Sequence, residues 1–161
     1  MPSPNAFTSR LWILNVSAAM TIVAASPAHA SGGLWCTIDD ANLRMTIESG
    51  VTRGMGGPIF NFKALAELLV KDVAPDFAKL TLDGNLVHSW IDGDETRLLL
   101  YTERQGDAPF GSVEITIETV GDREVGDLPG KYEVSYFEVE RQKGESDGYI
   151  RLKGDVSCGG D

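Results

Sequence analysis

His88 is the only histidine downstream of residue 30, and it sits beside Ser89 with Asp92 and Asp94 close behind. Serine, histidine and aspartate are the parts of a nucleophilic hydrolase, provided that the serine oxygen and the imidazole converge. Adjacent residues of a strand point to opposite faces, so Ser89 cannot serve His88 directly. No G-x-S-x-G elbow occurs either: Ser157 lies in Asp155-Val156-Ser157-Cys158-Gly159, which lacks the first glycine. The pattern reads as a rim or hydrogen-bonded histidine, and a hydrolase using His88 and the acidic loops ranks last among the functions considered.

Asp92, Asp94 and Glu95 offer three carboxylates at one hairpin tip and form a candidate cation-binding loop. Calcium prefers about six to eight oxygens, the EF-hand spacing is absent, and Asp-Gly is ordinary turn chemistry. No cysteine–histidine set suits a metal, and no cofactor is expected. The glycines at 54, 56 and 57 lack the following Lys-Ser/Thr of a phosphate-cradling loop and read as a turn. Aromatic residues supply another candidate: Phe60, Phe62, Trp90 and Tyr101 would line a small apolar-ligand site if the fold were a barrel. The competing role for these aromatics is packing.

These groups are expected to belong to an exported chain. Residues 1–30 carry one cation, Arg10, and no acid; an apolar run spans Leu11–Ala25, and Pro27 precedes Ala28-His29-Ala30. That is the form of a secretory signal peptide cleaved after Ala30. The run covers only about 22 Å of helix against a hydrocarbon core of about 30 Å, so no stable membrane anchor is expected after cleavage. Cys36 follows Trp35, where lipid modification needs a small residue. The expected location is periplasmic or extracellular.

Without Arg10 the chain has 13 basic against 24 acidic residues, a net charge of −11. Nucleic acid is thereby disfavoured as a partner, because phosphate binding rests on clustered lysine and arginine. A basic protein or peptide fits the charge. Cys36 and Cys158, near the two ends of residues 31–161, are expected to form a disulfide in an oxidising compartment. Both lie on apolar faces of alternating segments: Leu34, Cys36 and Ile38 near the start, and Ile150, Leu152, Val156 and Cys158 near the end.

Positioning these residues falls to strands. Period-two alternation marks 41–49, 113–119, 132–140 and 149–158. Residues 80–105 read as the core hairpin, turning at Asp92-Gly93 through a two- or three-residue loop, with Asp83-Gly84-Asn85 as a bend or bulge. Segment 59–71 suits a helix by composition, but Phe60, Phe62, Ala64, Ala66, Leu68 and Val70 alternate, which predicts a strand. Val73–Ala78 is a connector with a single helical turn at most. The sum is one all-β domain over 31–161, an antiparallel β-sandwich of about seven or eight strands closed by a terminal disulfide. The alternative is a small closed, lipocalin-like β-barrel. The expected function is non-enzymatic binding through an acidic surface, with carriage of a small apolar ligand as the alternative.

Overall fold

Alternating apolar and polar residues build nine antiparallel strands in the computed structural model, which describes residues 31–52, 59–122, 126–142 and 147–160. The strands are β1 (Ser31–Asp39), β2 (Leu43–Thr52), β3 (Ile59–Leu68), β4 (Lys79–Thr81), β5 (Leu86–Asp92), β6 (Glu95–Glu103), β7 (Gly111–Val120), β8 (Leu128–Glu138) and β9 (Tyr149–Gly160). Single-turn helices α1 (Pro75–Ala78) and α2 (Val139–Gln142) accompany them. Residues 1–30, expected to be a cleaved leader, and the glycines at 54, 56 and 57 lie outside the described residues. No described helix is long and apolar enough to cross a membrane.

All nine strands share one sheet, in the order β4-β3-β2-β1-β9-β8-β7-β6-β5. The expected all-β class is therefore present, but as a single curled sheet rather than two apposed ones. The physical reason is the joint between β1 and β9. Two sequential meanders, β1 to β4 and β5 to β9, meet there edge to edge, with Leu34–Thr37 paired to Gly160–Ser157. The sheet curls about its own buried face, where Leu34, Ile47, Ile115, Ile117, Val134 and Tyr136 are each at most 1% exposed. Cys36 and Cys158 are register partners across this joint and are disulfide-bonded, as their positions in the sequence predict.

The 80–105 stretch is divided between the two edges of the sheet. Lys79–Thr81 pairs with β3, and only Leu86–Glu103 forms the hairpin, so β5 is an edge strand. Between them, Asp83-Gly84-Asn85 bridges the edges. Leu82 N donates to Ala64 O (2.8 Å) and Ala64 N to Asp83 Oδ1 (3.1 Å) on the β3 side. On the β6 side, Tyr101 N donates to Asn85 O and Asn85 Nδ2 to Tyr101 O, each at 2.9 Å. The hairpin loop has two residues, because Asp92 pairs with Glu95. Gly93 takes φ +55° at its first position, the conformation that suits a II′ turn and favours glycine.

Segment 59–68 is a strand, with Ala64, Ala66 and Leu68 buried. Its alternation breaks at Asn61, which has φ +51° within a register shift against Glu48 and Gly50. This bulge sends Phe60 to the outer face, where its ring lies over Gly50, while Phe62 packs toward the core. Trp35 does the same over Gly159: a Cβ there would stand 2.6 Å from the indole. Thr96 and Thr119, register partners on β6 and β7, are buried, and neither hydroxyl has a hydrogen-bond partner among the described residues.

The β1–β2 turn is fixed by Asp40. Its Oδ1 accepts the amides of Asn42 (2.7 Å) and Leu43 (2.9 Å), and its Oδ2 accepts the Tyr132 hydroxyl (2.6 Å). Burial works against ionisation of Asp40, yet the Tyr132 hydroxyl and the two amides outweigh it and hold the carboxyl below its usual 3.8. A carboxyl depressed in the fold stabilises above its unfolded value, and that contribution is lost as pH falls through the lower, folded value. Stability should therefore decline below pH 3.8 more steeply in the wild type than in Asp40→Asn. Melting temperatures followed through the acid range check this, and parallel slopes would contradict it.

Candidate functional site

The residues singled out from sequence are dispersed by this topology. His88 is exposed and pairs with Leu99, Ser89 is half-buried on the other side of β5, and the His88 imidazole has no hydrogen bond or ion pair among the described residues. Asp92 lies four residues farther along the strand, about 13 Å at 3.3 Å per residue. Asp92 and Glu95 flank the hairpin turn in register, and Glu95 Oε2 accepts Arg97 Nη2 at 3.3 Å. Among the described residues no group of three or more His, Cys, Asp or Glu is placed to hold a metal ion. Of the four aromatics, Phe62 turns inward, whereas Phe60, Trp90 and Tyr101 belong to the outer surface of three different strands. Trp90 stands opposite Arg97 and is 52% exposed.

What the sheet brings together is a groove on the outer face of β6 to β9. Tyr101, Glu114, Ser135 and Arg151 are successive register partners across those four strands. The neighbouring row contains Ser112, Phe137 and Tyr149, and Phe110 joins it from the β6–β7 loop. These eight residues line a shallow volume of about 440 Å³. Phe137 stands 6.0 Å from Phe110 and 4.9 Å from Tyr149, centroid to centroid, so the rings form a continuous strip. Their tilted geometry suits the ring quadrupoles better than face-to-face stacking.

The groove's electrostatics are asymmetric. Arg151 lies over the Tyr149 ring (4.6 Å) and its Nη1 donates to Asp147 Oδ2 (2.8 Å). That hydrogen bond lowers the Asp147 carboxyl and raises the guanidinium. Burial and the Glu103 charge push the Tyr101 hydroxyl above its ordinary value, and that hydroxyl donates to Glu103 Oε2 (3.3 Å). The Glu114 side chain makes neither a hydrogen bond nor an ion pair among the described residues, though its charge acts on the Tyr101 hydroxyl. Farther along the same face lies a depression of about 630 Å³, bordered by Glu118, Lys131, Glu133 and Lys153. Its charges are already laced across strands: Lys131 with Asp155, Lys153 with Glu133 (2.8 Å) and Arg97 with Glu118 (3.9 Å). Exposed cross-strand pairs of this kind contribute little each and leave no group waiting for a ligand.

Arg104 is an enclosed cation, its side chain 11% exposed, that bonds to α1 at Asp76. It donates to Asp76 (Nε 2.6 Å, Nη2 3.1 Å), to Glu138 (Nη2 2.5 Å) and to the Pro109 carbonyl (Nη1 2.7 Å). The guanidinium also stands 5.0 Å from the Phe77 ring, which meets Tyr136 edge-on at 5.4 Å. Ala74 N donates to the Tyr136 hydroxyl (3.1 Å). Burial, then the Glu138 hydrogen bond, raises that hydroxyl's pKa, and the Arg104 hydrogen bond lowers that of Asp76. With its donors occupied from several sides, Arg104 works as a clamp that holds α1 and the β6–β7 loop against the sheet.

Neither the groove nor this clamp is a motif. Each unites residues from segments far apart in the chain, and only the strand register reveals them. Comparison with known proteins finds no similarity to this chain: no family model, no curated protein and no solved structure matches it.

Proposed function

We propose that this protein is an exported, non-enzymatic binding domain that uses an acidic surface to hold a basic protein or peptide. The observation that carries the reading is the gathering of Asp92, Asp94, Glu95, Asp122 and Asp127 at one end of the sheet. There the β5–β6 and β7–β8 turns are tied by the Gly121 amide on the Asp94 carbonyl (3.0 Å). Such a surface attracts cations over a Debye length of about 8 Å at physiological salt. Export, to a periplasm or the cell exterior, is supported by the leader and by the disulfide, since such bonds persist in oxidising compartments. We read the curl as a barrel in preference to a sandwich, because β4 and β5 run in the same direction and the Leu82–Asn85 segment between them bonds to both β3 and β6. Carriage of an apolar guest inside that curl has less support, with Phe60, Trp90 and Tyr101 outside it.

An immobilised sample should retain a cationic peptide such as oligolysine at low salt and release it as salt is raised. Exposed charges of this kind are worth about 0.2–1 kcal/mol each. The triple variant Asp92→Asn, Asp94→Asn, Glu95→Gln should therefore bind on the order of tenfold more weakly. Retention that ignores both salt and these substitutions would refute the reading.

A further inference from the structure

We propose that the outer-face groove is a binding site for a sugar unit of a neutral glycan, on a surface distinct from the acidic end. Two of its rings reach solvent. Trp35 and Phe60 are also exposed, but each covers a glycine of the neighbouring strand. Phe110 and Tyr149, at 46% and 40% exposure, instead extend one aromatic strip into solvent at the groove's rim. A pyranose has an apolar C–H face that rests on such rings and hydroxyls around its edge that need both donors and acceptors.

The polar groups match that edge. Glu114 only accepts and Arg151 only donates, and with Ser135 between them they stand two strand spacings apart, about 10 Å. A hydroxyl both donates and accepts, so a polyhydroxylated ring between these groups satisfies both ends. The groove's volume of about 440 Å³ falls within the roughly 300–1,000 Å³ of small-ligand sites.

Affinity electrophoresis through gels containing soluble neutral polysaccharides (a β-glucan, a xylan and a galactomannan) tests the proposal with the intact folded protein. Retardation by at least one of them is expected, little changed by salt or by the Asp92, Asp94, Glu95 variant. The double variant Phe110→Ala, Tyr149→Ala should lower the apparent affinity roughly tenfold, and Glu114→Gln should lower it severalfold. Both changes lie on the surface, and a far-ultraviolet spectrum and melting curve like those of the wild type confirm that the fold is kept. No retardation by any polysaccharide overturns the proposal, as does retardation equal in the ring variant. Oligolysine binding that Glu114→Gln abolishes would also overturn it, by assigning the groove to a cation. Loss of peptide binding in the acidic-end variant bears only on the function proposed above.

Discussion

Serine in place of Cys36 or Cys158 is expected to lower the unfolding free energy by about 2–5 kcal/mol, the usual result for a native disulfide in a small secreted domain. The entropic part follows from the sequence separation of 122, which limits the unfolded chain by roughly 4–5 kcal/mol. Position adds a second reason. The β1–β9 ladder joins the two meanders through four register pairs, fewer than the nine that join β6 to β7 and the nine that join β7 to β8. The sulfurs thus staple the sheet at a short seam, with both cysteines buried beside Leu34 and Val156. Urea unfolding with and without reductant measures the effect in the unmodified protein, and Cys36→Ser measures it independently. Superimposable curves would mean that the seam holds without its staple.

The seam also explains how much of the fold was legible. Alternation alone locates the inner faces of β1, β2, β7, β8 and β9, because inward residues recur at every second position through the middle of each strand. It also resolves Ile59–Leu68 as a strand against the helical composition of its second half, although the strand stops before Val70. Bulges are what periodicity cannot see. Asn61 inverts the parity of Phe60, and the register shift between Leu86 and His88 resets that of β5. One extra residue moves a side chain from core to solvent, so ligand-lining sets assembled by counting are the first casualty. The three-residue β4 carries too little pattern to announce itself, and its separation from β5 turns a supposed central hairpin into two edges.

Sites were less legible than strands. Tyr101, Glu114, Ser135 and Arg151 become neighbours only once three registers are fixed, and register depends on turn geometry that the 121–127 and 143–148 stretches do not disclose. Arg104 gave even less warning. It stands in a polar stretch at the end of β6, and its partners Asp76 and Glu138 are 28 and 34 residues away.

Arg104→Met is expected to cost about 3–5 kcal/mol, the usual penalty for removing one member of an enclosed ion pair. Glu138, 14% exposed, would be left charged beside Tyr136 without its counter-ion, and the Pro109 carbonyl would lose its donor. The 48% exposed Asp76 would be rehydrated at little expense, so Glu138 sets the magnitude. Arg104→Lys should recover only part of the loss, because an ammonium cannot reach two carboxylates and a carbonyl in the planar fork that arginine supplies. The double variant Arg104→Met, Glu138→Gln should be more stable than Arg104→Met alone, since it removes the stranded charge. Chemical denaturation of the four proteins measures these differences, and an Arg104→Met value within about 0.5 kcal/mol of wild type would reduce the cluster to an ordinary surface pair. The clamp also reaches the groove. The Phe110 carbonyl accepts the Val139 amide (3.1 Å) directly after Pro109, so releasing Arg104 frees the loop that sets one aromatic wall. Any ligand held against Phe110 should therefore bind more weakly to Arg104→Met even where the remainder of the sheet stays folded.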